Sequence, residues 1–200
     1  MSLKLTSGFC RGLSLELPAS GTRPTAGRVR AAVWNSLQLW LPQARILDIC
    51  AGTGAVGIEA LSRGAAFAAF IERDQACLPI LRRNLDEVQR RATQQAIKIA
   101  IQVLGLPAEQ ALLQCQTASF DILWLDPPFA QTCSLLAVLS PELRRIIRTE
   151  GVLLVESDSS DLTAVGELLG GAGWTLIKQK SYGKIGISFL SLRAETLPAT

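Results

Sequence analysis

The sequence contains no histidine. That absence excludes Ser-His and Cys-His nucleophilic catalysis, general acid–base chemistry by an imidazole, and metal sites built on imidazole ligands. Whatever chemistry the chain performs must therefore proceed without an imidazole group.

Cysteine is present but provides no framework. The five cysteines are odd in number, and no two of them form a Cys-x-x-Cys pair. Neither a disulfide scaffold nor a zinc site is predicted, and no metal is expected. Buried thiols in a reducing compartment are the expected state of Cys10, Cys50, Cys77, Cys115 and Cys133.

Long apolar runs are also absent. Hydrophobic residues make up 48% of the 200 residues, which is enough for a buried core, yet no run is long enough to span a membrane. The first residues lack the charged, apolar and cleavage regions of a signal peptide. We therefore expect a cytoplasmic protein with one large domain, or with a domain and a small appendage.

Acidic residues are scarce at the start of the chain. Residues 1–40 carry five basic side chains against the single acid Glu16, whereas the net charge of the whole chain is only +3. A basic front end on a near-neutral body fits a polyanionic partner, and nucleic acid is the first candidate. A solvated helix face has the same composition, so charge alone leaves both interpretations open.

What the chain does contain is a regular alternation of strand and helix patterns. Alternating leucines predict a β-hairpin within residues 3–17. A helix follows, in which Thr25 is the N-cap, Arg28 and Arg30 lie off the apolar face, and Pro42 ends the helix. Further strands are predicted at 45–49, 67–71, 97–103, 120–125 and 151–156, followed by a hairpin of 174–181 and 185–192. Helices are predicted at 54–63, 75–91, after Pro107, and at 132–139, 141–148 and 160–170.

This order predicts an α/β fold. We expect a mostly parallel seven-stranded sheet with helices on both faces and an antiparallel C-terminal hairpin. Residues 1–24 form a predicted N-terminal β-hairpin extension that contacts a polyanion, and residues 25–200 form the main domain.

The first motif is a glycine turn between the strand at 45–49 and the next helix. Gly52-x-Gly54-x-x-Gly57 satisfies the dinucleotide-binding fingerprint, and Glu72 follows the next strand, where an acidic residue grips a ribose hydroxyl. Asp48 places a carboxylate just before the glycines, which suits a cationic ligand better than a pyrophosphate. The turn alone therefore leaves an NAD-dependent oxidoreductase and other nucleoside-binding enzymes open.

The second motif is Asp126-Pro-Pro-Phe129. A buried strand delivers Asp126, and two prolines then make the following backbone rigid. In open parallel sheets, ligands bind beyond the carboxyl ends of the strands. We therefore expect Asp48, Glu72 and Asp126 to gather at one sheet edge.

Both motifs belong to a longer set. Gly21-Thr-Arg-Pro-Thr25, Arg28-Val-Arg30 and Asn35 precede the glycine turn, and Ser181-Tyr-Gly-Lys184 lies in the last hairpin. The set resembles the bacterial 16S ribosomal RNA guanine-N2 methyltransferases of the RsmD family. The resemblance covers nearly the whole chain and implies a Rossmann-like class I methyltransferase fold that uses S-adenosylmethionine.

The resemblance implies a role for each motif. The cofactor is expected on the turn and on the residues after the second strand, namely Asp48, Ala51, Gly52, Thr53, Gly54, Glu72 and Arg73. Asp126 and the carbonyl of Pro127 are expected to accept hydrogen bonds from the guanine amino group, while Pro128 holds the loop and Phe129 stacks on the flipped base. RNA phosphates are expected on Arg23, Thr25, Arg28 and Arg30, with Lys4 and Arg11. Lys178, Lys180 and Lys184 are further candidates, with a solvated hairpin as the alternative.

The expected partner is ribosomal RNA or a small-subunit assembly particle, bound by a monomer. One stretch departs from the family, since Val103-Leu-Gly-Leu-Pro107 has no polar side chain to meet the cofactor adenine. That departure leaves open a degenerate RNA-binding member without activity. An adenine-N6 methyltransferase of DNA or RNA fits the Asp-Pro-Pro-Phe motif equally well, whereas an NAD-dependent oxidoreductase leaves that motif without a role.

Overall fold

The computed structural model describes residues 3–18 and 27–193. The chain divides into two compact units, unit 1 (Met1–Pro107) and unit 2 (Ala108–Thr200). The predicted boundary after residue 24 lies outside the described residues and stays a prediction.

Unit 1 carries the first five strands and three helices. In chain order its elements are β1 (Leu3–Lys4), β2 (Ser14–Leu15), α1 (Gly27–Ser36), a 3-10 turn (Gln38–Trp40), β3 (Arg45–Ile49), α2 (Ala55–Ser62), β4 (Phe67–Ile71), α3 (Cys77–Gln94) and β5 (Ala100–Leu104). Strand β4 is wholly apolar, β3 is apolar except for Arg45 and Asp48, and both strands are buried after their first residue, as expected for parallel strands covered on both faces.

Unit 2 carries the remaining four strands. Its elements are α4 (Ala108–Leu113), β6 (Phe120–Leu125), a 3-10 turn (Phe129–Gln131), α5 (Thr132–Ile146), β7 (Ile147–Asp158), a 3-10 turn (Ser159–Asp161), α6 (Leu162–Gly171), β8 (Thr175–Tyr182) and β9 (Ile185–Ser191).

Seven strands form one sheet in the order β5-β4-β3-β6-β7-β9-β8, and β1 and β2 form a separate antiparallel pair. Parallel pairing joins β3 to β4, β4 to β5 and β6 to β7, whereas β9 runs antiparallel to both β7 and β8. The parallel strands β5-β4-β3 of unit 1 and β6-β7 of unit 2 thus occur in the order of a doubly wound sheet. The predicted α/β fold, with its mostly parallel seven-stranded sheet and two hairpins, is confirmed.

Two predicted helix boundaries are wrong. Helix α1 ends at Ser36 rather than at Pro42, because the backbone tightens to i−3 hydrogen bonds, with Leu37 N–H donating to Trp34 (3.2 Å) and Trp40 N–H to Leu37 (2.9 Å). Helix α5 is continuous, although two helices were expected around Pro141. Pro141 and Ala137 are both exposed, so water can bond the carbonyl that proline leaves without a donor.

Pro79 does not disturb α3. It is the third residue of that helix, where the backbone N–H has no intrahelical acceptor in any case. The predicted apolar stripe of α3 is buried, from Leu78 and Leu81 to Leu85 and Val88.

Candidate cofactor site and target-base loop

The glycine turn in unit 1 leaves β3 through a run of left-handed residues. Cys50, Gly52 and Gly54 have φ angles of 65°, 54° and 82°. The Gly54 N–H closes the turn on the carbonyl of Ala51 (2.8 Å), and the Ala51 N–H donates to Ile71 at the end of β4 (2.9 Å). Gly54 is therefore the residue that precedes α2, with the free N–H groups of that helix beyond it.

The three fingerprint glycines do different work. A Cβ on Gly54 would lie 2.5 Å from Leu81 Cδ1, and one on Gly57 would lie 2.5 Å from Phe70 Cε1, so both glycines serve close packing. A Cβ on Gly52 would meet nothing within 4 Å. The backbone of Gly52 therefore presents an open face that a side chain would fill, and this is the feature a cofactor lying on the turn requires.

Asp48 fixes the glycine turn through one buried hydrogen bond. Its side chain is 1% exposed, and Oδ2 accepts a hydrogen bond from the Gly57 N–H at the first turn of α2 (2.9 Å). A carboxylate at a helix N-terminus is favoured by the free N–H groups and the helix dipole. Asp48 thus fixes the turn to α2, and its predicted position facing the cofactor's ammonium group stays a prediction.

Glu72 joins the turn to the end of β4. Oε2 accepts from the Gly52 N–H (2.7 Å) and Oε1 accepts from the Asp74 N–H (2.7 Å), with the residue 8% exposed. Each carboxylate oxygen keeps a further lone pair for a hydroxyl donor. Because Ile49 pairs with Ile71, Asp48 and Glu72 both lie at the carboxyl ends of neighbouring strands, as predicted for this pair.

The remaining predicted cofactor residues surround the turn. Ala51 is half-buried, Thr53 is buried at 4% exposure, and Arg73 is exposed. At the end of β5, the carbonyl of Leu104 accepts from the Glu72 N–H (3.2 Å), and no polar side chain stands between Val103 and Pro107. Contact with an adenine at this end of β5 would therefore rely on backbone atoms.

Asn84 on α3 was missed by the sequence analysis. The residue is 4% exposed, Oδ1 accepts from the Glu16 N–H (2.8 Å), and Nδ2 donates to the carbonyls of Glu16 (3.2 Å) and Thr53 (3.0 Å). One buried amide therefore ties the glycine turn to the chain that leaves the N-terminal hairpin. The available signal was a polar residue between Leu81 and Leu85 on the buried face.

The Asp126 loop belongs to unit 2. It begins directly after the buried strand β6, with Asp126 half-buried, Pro127 buried, Pro128 exposed and Phe129 half-buried. Pro128 is extended, with φ −52° and ψ 128°, and its carbonyl accepts from the Gln131 N–H (2.8 Å). The loop is thus short and constrained by its two prolines. The predicted gathering of Asp126 with Asp48 and Glu72 stays a prediction.

A second acidic residue of unit 2 was also missed. Glu156 on β7 is 3% exposed, and it follows Val155, the register partner of Leu125. It therefore lies level with Asp126 on the neighbouring strand. An acid at the end of the apolar run Val152–Val155 was the signal in the sequence.

One predicted phosphate contact is wrong. Arg30 was expected off the apolar face of α1, but it is fully buried, and its Nε pairs with Glu59 Oε2 on α2 at 2.8 Å. Arg28 is exposed on the same helix, and Lys4 and Arg11 are exposed on the hairpin. Arg23 and the predicted N-cap Thr25 lie outside the described residues.

Arg30 belongs to a buried cluster that fastens the hairpin to unit 1. Its NH2 group donates to the carbonyl of Lys4 (3.0 Å). Glu59 Oε1 accepts from Arg63 (3.0 Å) and from the backbone and hydroxyl of Thr6, and Arg63 also donates to Asn35 (2.8 Å). The cluster therefore joins β1, α1 and α2, and this is the role that the structure gives to Arg30.

Possible metal ligands and buried thiols are the remaining groups of chemical interest in the described residues. Across residues 3–18 and 27–193, no group of three His, Cys, Asp or Glu side chains is arranged to hold a metal ion. Burial raises the pKa of Cys10 and of Cys77 to about 11, so neither thiol is a reactive nucleophile near neutral pH. The described helices include none with the length and apolar character needed to cross a membrane.

Three features together define the class I methyltransferase fold. They are a doubly wound sheet with a reversed strand beside β7, a glycine turn held by two buried carboxylates, and an Asp-Pro-Pro-Phe loop after β6. The sequence matches the family described as Conserved hypothetical protein 95 over residues 3–191. The chain belongs to this family, and its resemblance to the RsmD methyltransferases is confirmed.

Individual relatives agree with this assignment. The chain is 32% identical over 195 residues to the Ribosomal RNA small subunit methyltransferase D of Escherichia coli (strain K12), with 96% of this chain and 91% of that protein covered. It is 29% identical to the protein of the same name from Haemophilus influenzae, with 90% and 89% covered. Its fold is similar to the solved structure described as "Putative methyltransferase yhhF from Escherichia coli", with a TM-score of 0.73, 30% identity, and 95% and 97% of the two chains covered.

Proposed function

We propose that this protein transfers a methyl group from S-adenosylmethionine to the exocyclic N2 amino group of a guanine in small-subunit (16S) ribosomal RNA. The observation that carries the proposal is the Asp126-Pro-Pro-Phe129 loop at the end of a buried strand, in a chain 32% identical to a ribosomal RNA small subunit methyltransferase D. Ribosomal RNA as substrate also implies that the protein acts in the cytoplasm.

Unit 1 fits the cofactor. The open face of Gly52 accommodates the methionine part, the remaining lone pairs of Glu72 suit the ribose hydroxyls, and Asp48 keeps the turn in place. Ala51, Thr53, Gly54 and Arg73 complete the proposed contacts. Bound S-adenosylmethionine would supply an electrophilic methyl group on a positively charged sulfur, and S-adenosylhomocysteine would be the leaving group when the carbon–sulfur bond breaks.

Unit 2 holds the target amino group. The lone pair of a guanine amino nitrogen is delocalised into the ring, so the nitrogen is a weak nucleophile. Asp126 and the carbonyl of Pro127 accept hydrogen bonds from its two N–H groups. These hydrogen bonds favour a pyramidal nitrogen whose lone pair is free to attack the methyl carbon. Phe129 stacks on the guanine base after that base has flipped out of the RNA helix.

This chemistry needs positioning more than it needs a base. The amino nitrogen becomes acidic once it carries the methyl group, so its proton leaves without a strong general base. Orientation and charge stabilisation then supply most of the rate enhancement. A chain without histidine is compatible with such a reaction.

The RNA-binding residues follow from exposure and charge. Lys4, Arg11 and Arg28 are exposed and suited to phosphates, which position RNA without reading its sequence. Arg23 and Thr25 remain proposed contacts of the same kind. We take the substrate to be ribosomal RNA or an assembling small subunit, and the enzyme to be a monomer.

The decisive experiment is methyl transfer from labelled S-adenosylmethionine to small ribosomal subunits that lack the modification, followed by nucleoside analysis. Asp126→Asn serves as the matched variant, because it keeps the shape of the side chain and removes its charge. Labelled N2-methylguanosine from the wild type, with a loss of at least 100-fold in the variant, is the expected result.

Other outcomes select other functions. Label in N6-methyladenosine would replace the proposal by the adenine reaction, which the same loop supports. Absence of label from subunits that still bind would identify a member that has lost activity. Thermal stabilisation by NAD but not by S-adenosylmethionine would favour an oxidoreductase.

A further inference from the structure

The β8–β9 hairpin of unit 2 reaches the same sheet edge as the Asp126 loop. Leu125, the last residue of β6, pairs with Val155 of β7, and β7 continues to Asp158, which pairs with Ile185 at the start of β9. The hairpin turn after Tyr182 therefore lies beyond the carboxyl end of β6. Only β7 separates β6 from β9, so the two strands are about 10 Å apart at the usual spacing of neighbouring strands.

This hairpin holds the unpaired cations of unit 2. The arginines in the described part of unit 2 all have a partner. Arg145 pairs with Glu142, Arg148 with Asp121 and Arg193 with Glu150, and Arg144 donates to the carbonyl of Ala172. Among the described residues of unit 2, the three lysines form no ion pair within 4.0 Å, and all three lie in this hairpin as Lys178, Lys180 and Lys184. No acidic residue occurs between Thr175 and Ser191.

The three lysines, here called the lysine strip, lie on the edge strand and in the turn that follows it. Lys178 and Lys180 alternate with Gln179 and therefore lie on one face of β8, the outermost strand of the sheet. Lys178 lies over the Phe189 ring at 4.4 Å, which holds its ammonium group in place. Lys184 is exposed in the turn itself.

We propose that Lys178, Lys180 and Lys184 form a second phosphate-binding surface, which holds the RNA backbone within a few nucleotides of the target base. The inference rests on the proposed function and adds to it a contact separate from the basic N-terminal residues. The strip extends from the edge where the Asp126 loop begins, and its charge is complementary to a polyanion. A competing explanation is that lysines on an edge strand only prevent strand-to-strand aggregation.

The test is a salt titration of RNA binding. Wild type and the K178Q/K180Q/K184Q variant are compared by fluorescence anisotropy with a 16S ribosomal RNA fragment between 50 and 300 mM salt. Neutralising three phosphate contacts should reduce the slope of log K against log[salt] by about 2 and weaken binding at least tenfold at low salt. The single variants K184Q and K98Q form a charge-matched pair, since Lys98 is an exposed lysine of unit 1. Only K184Q should lower the slope.

Two further readouts separate the explanations. Affinity for S-adenosylmethionine should stay unchanged in the triple variant, because the substituted side chains are outside unit 1. The unfolding temperature should stay unchanged in the double variant K180Q/K184Q, whose side chains are exposed, and the loss of the Lys178 contact with Phe189 is the only stability change expected in the triple variant. An unchanged salt slope in the triple variant would overturn the proposal, and increased aggregation with that unchanged slope would assign the lysines to edge protection.

The experiments also separate the outcome for the proposed function from the outcome for this surface. Wild-type formation of N2-methylguanosine together with an unaltered slope would overturn only this surface. A slope that depends on the hairpin, with no methylated nucleoside from wild type, would overturn the proposed activity and support the surface. A wild type that does not bind RNA at all would overturn both.

Discussion

Gly52 and Gly183 have similar backbones in different surroundings. Both have positive φ, 54° and 66°, and a Cβ on either would meet nothing within 4 Å. Alanine at either position should therefore lower the free energy of unfolding by a similar amount, roughly 1–2 kcal/mol, which is the penalty of the left-handed conformation. Only Gly52→Ala places a methyl group on the face where the cofactor is proposed to lie.

We expect Gly52→Ala to weaken binding of S-adenosylmethionine by about tenfold or more, through steric contact and local strain, and Gly183→Ala to leave it unchanged. Isothermal titration calorimetry gives the affinities, and urea unfolding gives the stabilities of both variants. Equal affinities for the two variants would contradict a cofactor on the Gly52 backbone.

Asn84 is the second residue whose role can be isolated. Asn84→Leu keeps the size of the side chain but leaves the Glu16 N–H and the carbonyls of Glu16 and Thr53 without this partner. A loss of about 2–3 kcal/mol in the free energy of unfolding is expected, since buried polar groups are left unsatisfied.

The link to Thr53 predicts a functional effect as well. Affinity for S-adenosylmethionine should fall several-fold in Asn84→Leu, because the glycine turn loses a support. Gln89→Leu, at an exposed position of the same helix, is the control and should change neither quantity. An Asn84 variant that is less stable but binds the cofactor normally would restrict Asn84 to folding.

At the scale of elements, the cluster around Glu59 decides how the N-terminal hairpin is held. Glu59 and Arg30 are both fully buried, and Arg63 is 9% exposed. Removing Glu59 alone leaves the buried Arg30 charge without its partner, whereas removing both leaves only Arg63, which keeps its hydrogen bond to Asn35. The single substitution Glu59→Gln should therefore cost about 3–5 kcal/mol of unfolding free energy.

A double-mutant cycle measures the coupling directly. Arg30→Met combined with Glu59→Gln should cost clearly less than the sum of the two single variants, by at least 1 kcal/mol in urea unfolding. The surface pair Arg83–Glu16, whose side chains are about half exposed, is the control cycle and should show little coupling. Additive effects at Arg30 and Glu59 would show that the buried pair is not energetically coupled.

The same elements show what sequence patterns can and cannot predict. The strands around Asp48, Glu72 and Asp126 were predictable, because short apolar runs bounded by glycine or proline specify them locally. The position of Arg30 was not, because its burial depends on a carboxylate 29 residues away on another helix. Likewise, helix α5 continues through Pro141 at a point where Ala137 and Pro141 are both exposed, and the periodicity of the sequence does not reveal that exposure.

Within the candidate site, the residues found from sequence are those with a local motif. Gly52 and Asp126 are recognisable from their neighbours, whereas Asn84 and Glu156 act through register and packing between distant segments. The signals available in the sequence were a polar residue within the apolar stripe of α3 for Asn84 and an acid at the end of an apolar run for Glu156.

At the scale of the whole molecule, the reactivity of two buried thiols, Cys10 and Cys77, measures whether the protein is folded. Burial raises the pKa of Cys10 and Cys77 from 9.0 to about 11, so the reactive thiolate is about 100-fold rarer at pH 8 than in an unfolded chain. Alkylation by iodoacetamide should therefore be at least that much slower in the native protein, as measured by peptide mass spectrometry. Urea should restore the ordinary rate, and rapid native labelling of both sites would contradict their burial.

The pH dependence of the reaction is the last consequence of composition. Histidine is the side chain that ordinarily titrates between pH 5 and 8, and the chain has none. The raised thiol pKa values of Cys10, Cys77 and Cys115 place those groups further above this range. Since the proposed transfer needs no general base, single-turnover methyl transfer should be nearly constant from pH 6 to 8.

Asp126→Asn should be slow at every pH in this range, because the substitution removes the charge of the acceptor that the loop offers to the amino group. A bell-shaped profile centred near neutral pH would instead reveal an acid–base pair in catalysis, and the proposed mechanism by positioning alone would then be wrong.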